Sequence, residues 1–417
     1  MTNDDKMTIN ERRKYLRILQ KRYAQASHAE RSQLLDEMEY VTALDRKTLI
    51  RAMQADLERK PRLKQRGRQY GPEVDDALRI IAESLDYIAA ERLTPNLVWI
   101  ATHLAQHGEL QASPELLERL GQIHVSTVRR ILQRIGQDQP RLPRKGLSST
   151  RQSLREIPMK RIPWDEPVPG HFEVDLVHHS GPSTAGDYVH TLQMIDVTTG
   201  WSERVAVLGR SYVVMEDAFR HILKRLPFSV LEIHPDNGGE FFSAHLLRFW
   251  KDTVKGLELS RSRPFHKNDN RFVEQKNQTL VRGYLGHERL DSVAQTNAVN
   301  ALYEKHWLYY NLFQPVMRLQ EKTFIQVEGQ PTQVKRCFDE ARTPFDRLCA
   351  TQVLTPERVQ QLQALRDQTN PRRLKQEIHA LIAHIFSLPN AIPGVSEHVF
   401  DTLTEPTSSR KGGGTSG

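Results

Sequence analysis

Apolar positions recur every three or four residues over the first third of the chain and every second residue in its middle, so helices come first and a sheet follows. Three helices are predicted at the start: Thr8 to Gln25, Glu30 to Glu39, and Asp45 to Met53. The third opens on an acidic cap and carries Arg46, Lys47 and Arg51 outward. A second helical group runs from Glu73 to Ile135. Within it, Pro114 to Leu120 leads through a turn at Gly121 into a helix capped by Ser126. Val128, Ile131, Leu132 and Ile135 form the buried stripe of that helix, leaving Thr127, Arg129, Arg130, Gln133 and Arg134 outside. Each group has the form of a helix-turn-helix, whose second helix enters a groove of DNA. A helical bundle with a solvated basic face is the plainer alternative.

The period changes at His171. His171 to His178 alternates apolar and polar residues without a turn former, which predicts a strand with Asp175 in its middle. A carboxylate buried there needs donors or a cation. Phe228 to Ile233 predicts another strand, and His234-Pro-Asp-Asn-Gly-Gly-Glu ends it in a loop, which puts Asp236 at a C-terminal strand edge. Farther on, Arg261 to Asn277 passes from a strand end through a polar loop into a helix capped by Asn268 or Asp269. Glu274 falls in its first turns and shares a face with Arg271, Asn277 and Gln278. Such a face is polar where a core helix is apolar. Nearby acids, namely Glu173, Asp196, Glu240 and Asp269, read as solvent-facing or turn-capping. His178, His179, His234 and His266 read as structural or substrate-side residues, because no cysteine accompanies them.

Past the sheet, Thr323 to Val327 and Gln333 to Phe338 predict two strands around Gly329. Thr355 to Arg366 and Pro371 to Phe386 predict helices whose apolar stripes serve a partner or fold back on the core. The fold class expected is multidomain α+β, divided as follows: helix-turn-helix module 1–58, basic linker 59–71, second module 72–138, Pro-rich basic linker 139–168, α/β core with a mixed sheet 169–312, small β-rich module 313–345, helices 346–404, and disordered tail 405–417. In the first linker Lys60, Arg62, Lys64, Arg66 and Arg68 fall at every second residue, so an extended chain aligns them along one edge. The second linker is basic throughout, with Lys145 at its centre.

A formal charge of +8 and a pI near 9.4 suit a polyanionic partner. With only Cys337 and Cys349, a disulfide framework and a cysteine zinc site are excluded. Neither a signal peptide nor a membrane-spanning apolar run is visible, which predicts a cytoplasmic, nucleoid-associated protein without a membrane partner.

Asp175 in its strand, Asp236 in Asp-Asn-Gly-Gly-Glu-Phe and Glu274 in Val-Glu-Gln-Lys-Asn together resemble the DDE triad of bacterial insertion-sequence transposases, which share the retroviral integrase core. The stretches Asp187 to Trp201 and Asn311 to Pro315 resemble that core too, and the similarity is strongest over roughly residues 165 to 315. The resemblance implies an RNase H-like fold and two Mg²⁺ ions, with Mn²⁺ as a substitute, held by Asp175, Asp236 and Glu274. It implies cleavage at the element's terminal inverted repeats to free 3′-hydroxyls, which then join target DNA, with double-stranded DNA as partner and a homo-oligomer on it. Arg271 and Lys276 would face that DNA with the basic residues named above. Two other classes remain open: a non-catalytic DNA-binding regulator, and a general nuclease of the same fold. An intact triad speaks against the first. Two end-reading modules speak against the second.

Overall fold

Thr8, Ser27 and Asp45 each stand one residue before a helix and accept a hydrogen bond from its first turn. Caps of this kind contribute about 1 kcal/mol each. They open α1 (Ile9–Gln25), α2 (His28–Thr42) and α3 (Arg46–Gln54) in the computed structural model, which describes residues 7–57, 70–136, 167–235, 241, 244–259, 271–325 and 333–403. Lys60, Arg62, Lys64, Arg66, Arg68, Lys145, Asp236, Glu240, His266 and Asp269 lie outside the described residues, as does the tail from 404. The chain divides into two units, Met1–Gln69 and Tyr70–Gly417. In the first, Leu16, Leu19, Leu34, Leu35, Met38, Leu49 and Met53 form one small core.

The second unit opens with α4 (Pro72–Ser84), α5 (Ala90–Leu93), α6 (Leu97–Gln106), α7 (Pro114–Gln122) and α8 (Val125–Ile135). Two local expectations are corrected here. Gly121 belongs to α7 rather than to a turn, and His124, not Ser126, caps α8: its Nδ1 accepts from the Ser126 amide at 3.2 Å and meets the Ser126 hydroxyl at 2.8 Å. An imidazole can accept like an Asp carboxylate when its lone pair is free. Within the same unit, α4 to α6 are tied to later parts of the chain. The Tyr309 hydroxyl donates to Ser84 O, the Asn96 amide to Ala341 O, and His103 Nε2 lies 2.8 Å from Thr369 O. Arg372 pairs with Glu83 and Glu109, and Lys375 with Asp86.

The sheet contains β1 (His171–His178), β2 (Val189–Asp196), β3 (Ser202–Leu208), then, after α9 (Tyr212–Arg225), β4 (Glu232–Pro235) and, after α10 (Ala244–Thr253), β5 (Glu258–Leu259). Its order is β3-β2-β1-β4-β5, antiparallel across the first three strands and parallel across the rest. β4 starts later than the Phe228 to Ile233 run predicted, because Phe228 and Val230 are buried in its lead-in. One sheet face carries Phe172, Val174, Leu192, Met194 and Val205, in one apolar cluster with Val214, Met215, Phe219 and Ile222 of α9.

The other face, which includes Asp175, is served by α11 (Arg271–Lys276), a π-helical turn (Asn277–Arg282), α12 (Gly283–Leu285), α13 (Val293–Leu308) and a second π turn (Tyr309–Phe313). There follow a hairpin of β6 (Leu319–Ile325) and β7 (Gln333–Phe338), then α14 (Pro344–Ala350), α15 (Pro356–Gln368) and α16 (Pro371–Ser387). The stripe of α16 folds back: Leu374, Ile378, Ile382 and Ile385 join Val189, Ala206, Leu208, Leu302 and Tyr303 in one core. Each such side chain contributes about 1.5–3 kcal/mol by leaving water. Along β3, Asn311 bonds both the N–H and the C=O of Ser202 at 3.0 Å, and Asn300 does the same at Ala206.

Candidate active site

Asp175 sits half-buried in β1, and the strand register places it opposite Gln193 of β2, itself opposite Arg204 of β3. Side chains two residues apart on a strand share a face, so Glu173 lies beside Asp175. Glu173 is fully buried and accepts the Val273 amide at 2.8 Å, which corrects its solvent-facing expectation. The acceptor is needed because the first amides of a helix have no partner within it. A second tie follows one turn later, where Asn277 Nδ2 donates to Asp175 Oδ2 at 2.5 Å. Glu274 lies between these two anchors on α11 and is exposed. The strand carboxylate and the helix segment that bears Glu274 thus meet on one face of the sheet. Asp236 lies outside the described residues, but Pro235, just before it, ends β4 in register with Val174.

Gln193 and Arg204 escaped the sequence reading. Both are at most 2% exposed. Burial pulls the Arg204 pKa down, and among the described residues the guanidinium has no carboxylate partner. No local signal marks them: β2 and β3 contain several polar residues, and it is the covering elements that bury every one. Lys276 stands over the Tyr310 ring at 4.9 Å, a cation–π contact. Arg271 opens α11.

Of the residues expected to touch DNA in the first unit, Lys47 and Arg51 are exposed, while Arg46 pairs with Asp36 and donates to the Ser32 hydroxyl at 2.7 Å. On α8, Arg129, Arg130 and Gln133 are exposed. Arg129 pairs with Glu91, Arg130 donates to the Thr127 hydroxyl at 3.2 Å, and Arg134 pairs with Asp75. A pair as exposed as Arg129–Glu91 contributes about 0–1 kcal/mol, so a phosphate can replace the glutamate cheaply. Arg134 is more committed, because Asp75 is largely buried.

Asp196 is a turn-capping acid, as read: it accepts from Gly170 N, Thr199 N and the Thr199 hydroxyl, which offset the burial that pushes its carboxyl up. His178 and His190 pair in the register and project from the face opposite Asp175, their rings 4.8 Å apart. They cannot join Asp175 in one metal shell. Burial pulls His179 well below the usual imidazole range, and its Nε2 lies 2.9 Å from the Thr191 hydroxyl. Burial likewise pushes His190 down to about 3. A histidine whose folded pKa is depressed stabilises the fold above its unfolded pKa and loses that contribution as pH falls. For His190, stability therefore falls by about 1.4 kcal/mol per pH unit between about pH 6.5 and about pH 3. His190→Gln should remove about 2 kcal/mol of the loss between pH 7 and 5, measured by urea unfolding at both pH values. An equal loss in wild type and variant would refute it.

Among the described residues no group of three His, Cys, Asp or Glu forms a metal cluster. The two elements that Asn277 joins carry carboxylates, Asp175 half-buried on β1 and Glu274 exposed on α11, and carboxylate oxygen suits a hard divalent cation. No described helix is long and apolar enough to cross a membrane.

No protein-family model matches the chain. The uncharacterized protein y4rM of Sinorhizobium fredii (strain NBRC 101917 / NGR234) is 35% identical over 311 residues, which cover 73% of this chain and 87% of that one. Among solved structures, the catalytic core domain of BIV integrase aligns with a TM-score of 0.28 at 13% identity, over 44% of this chain and 95% of the other. The HTLV-2 integrase catalytic core domain in complex with magnesium aligns with a TM-score of 0.27 at 19% identity, over 36% and 91%.

Proposed function

The chain belongs to the family of the uncharacterized protein y4rM of Sinorhizobium fredii, and from the chemistry of its own residues we propose that it is a DDE-type DNA transposase with an RNase H-like core. The observation that carries this reading is the Asn277–Asp175 hydrogen bond, which sets the helix of Glu274 against the strand of Asp175. Asp175, Asp236 and Glu274 would hold two Mg²⁺, for which Mn²⁺ could substitute. When bound, such ions supply the positive charge that in-line phosphodiester chemistry requires. Asp175, held in orientation by Asn277, would contribute to that site from the strand. The reaction needs no side-chain nucleophile. Water first breaks a phosphodiester at the element end and leaves a 3′-hydroxyl. That hydroxyl then forms a new bond to a target phosphorus while the target's own 3′ oxygen departs, so one phosphodiester replaces another.

The test is direct: purified protein, Mg²⁺ and a duplex carrying an element end should yield a 3′-nicked strand and joined product. A protein that binds ends and produces neither is a regulator. One that only degrades DNA is a nuclease.

End recognition is assigned to the helical modules, and backbone tracking to the basic linker. Arg130→Ala or Gln133→Ala should reduce discrimination between correct and altered ends by about 1–3 kcal/mol at one position. Replacing Lys64, Arg66 and Arg68 by Gln should weaken all duplexes alike and flatten the slope of log affinity against log salt by up to roughly 2–3 units. Titrations at several salt concentrations on matched and scrambled ends decide. An unchanged slope in the triple variant removes the linker from the interface.

A further inference from the structure

A buried guanidinium without a carboxylate is costly, so what it bonds is informative. Arg204 Nη1 donates to the Leu280 carbonyl at 3.1 Å and to His306 Nδ1 at 2.8 Å, and the group lies 5.5 Å from the Tyr303 ring centre. Among the described residues its Nη2 has no hydrogen-bond partner, nor has either amide atom of Gln193, the residue between Arg204 and Asp175 in the register. Leu280 belongs to the π-helical turn that begins at Asn277. A π turn holds one residue more than an α turn, and each residue rotates a helix by roughly 100°. Val281 at the end of that turn, and Tyr284 and Leu285 beyond it, are locked in the core. Glu274 stands before it and Asn277 is its first residue; they reach toward solvent and Asp175 respectively. The direction in which these two point therefore depends on whether the extra residue is retained.

We propose that Arg204 is a positioning residue: by holding the Leu280 carbonyl it keeps the 277–282 turn in its π form and so sets the rotation at which Asn277 and Glu274 face Asp175. The role of Glu274 here rests on the function proposed above, whereas the anchoring of the turn does not. The Glu173 bond to Val273 fixes the start of α11, and Arg204 fixes its far side. Between these two points the helix has no freedom to turn.

The experiment compares wild type with Arg204→Met, which fills similar space without donors, and Arg204→Lys, which keeps charge and a donor. Hydrogen exchange of metal-free, DNA-free protein should be roughly tenfold faster over residues 277–285 in the Met variant, with β1 to β3 still protected. The Lys variant should fall between. In nicking assays the Mg²⁺ concentration for half-maximal rate should rise roughly tenfold in the Met variant, recover in part with Lys, and leave the rate at saturating Mg²⁺ less affected. Unchanged exchange over 277–285 together with an unchanged Mg²⁺ midpoint overturns the proposal. So does loss of protection spread evenly over the sheet, which is what a mere core filler would give. If the Met variant does not fold, the Lys variant decides by the same two readings. If wild type itself does not nick DNA, the transposase reading fails, and the exchange result alone decides the role of Arg204.

Discussion

Asp175→Asn, Asp236→Asn and Glu274→Gln should each lower Mg²⁺-dependent nicking and joining by at least about 10³-fold, roughly 4 kcal/mol of transition-state stabilisation. Each exchange removes one anionic oxygen without adding bulk, so the fold and the binding of element ends should persist. Asp175→Asn has a second consequence. Asn277 donates to one carboxylate oxygen and the Leu176 amide to the other, so the variant, with a single acceptor, can keep the Asn277 contact by turning its carbonyl toward it only at the expense of the Leu176 bond. Loss of activity would then report lost charge rather than a displaced helix. Asp269→Asn should stay active. Gel-shift binding beside single-turnover nicking separates the outcomes, and Glu274→Gln joining ends at the wild-type rate would remove Glu274 from the ligand set.

The second large effect separates two truncations. Removing residues 1–69 takes away a unit with its own core and should leave the remainder folded, with a melting temperature within a few degrees of the full chain. End affinity should fall, while metal-dependent breakage of DNA survives. Removing residues 1–136 should instead give an aggregated or unfolded product. It strips Ser84, Asn96 and His103 from Tyr309, Ala341 and Thr369, and it leaves Lys375, 7% exposed, without Asp86. Breaking one buried pair costs about 3–5 kcal/mol, against a total stability of about 5–15 kcal/mol. Circular dichroism and gel filtration of both truncations check this. A monodisperse, folded 137–417 fragment would show that α4 to α8 are dispensable to the core.

Much of this was legible because the signals are local. Thr8, Asp45, Thr355 and Asn370 announce their helices through capping chemistry that acts within one turn, and all four are caps in the structure. His171 to His178 is a strand because its alternation has period two. What escaped depends on contacts distant in sequence. Glu173 looks like any strand acid until Val273, 100 residues away, presents an amide to it. Arg204 looks like an edge cation until Leu280 and His306 close over it. The π turn at 277–282 has no composition signature at all, since its extra residue is accommodated by packing rather than by a residue type. Even a cap can mislead: Ser126 has the favoured chemistry, yet His124 stands two residues earlier and takes the amide first.

The two asparagines along β3 decide how copies of this chain can assemble. An outer strand with free amides and carbonyls invites another chain to add a strand of its own. Asn311 and Asn300 occupy Ser202 and Ala206 on that side, and the Arg225 guanidinium takes the Arg204 carbonyl between them. Most of that row is already engaged, which leaves a neighbouring strand little to bond at Ser202 to Ala206. Sheet extension is thus disfavoured at β3, and a second copy that docks on this side must do so through side chains of helices and loops, where partners can be exchanged without opening the sheet.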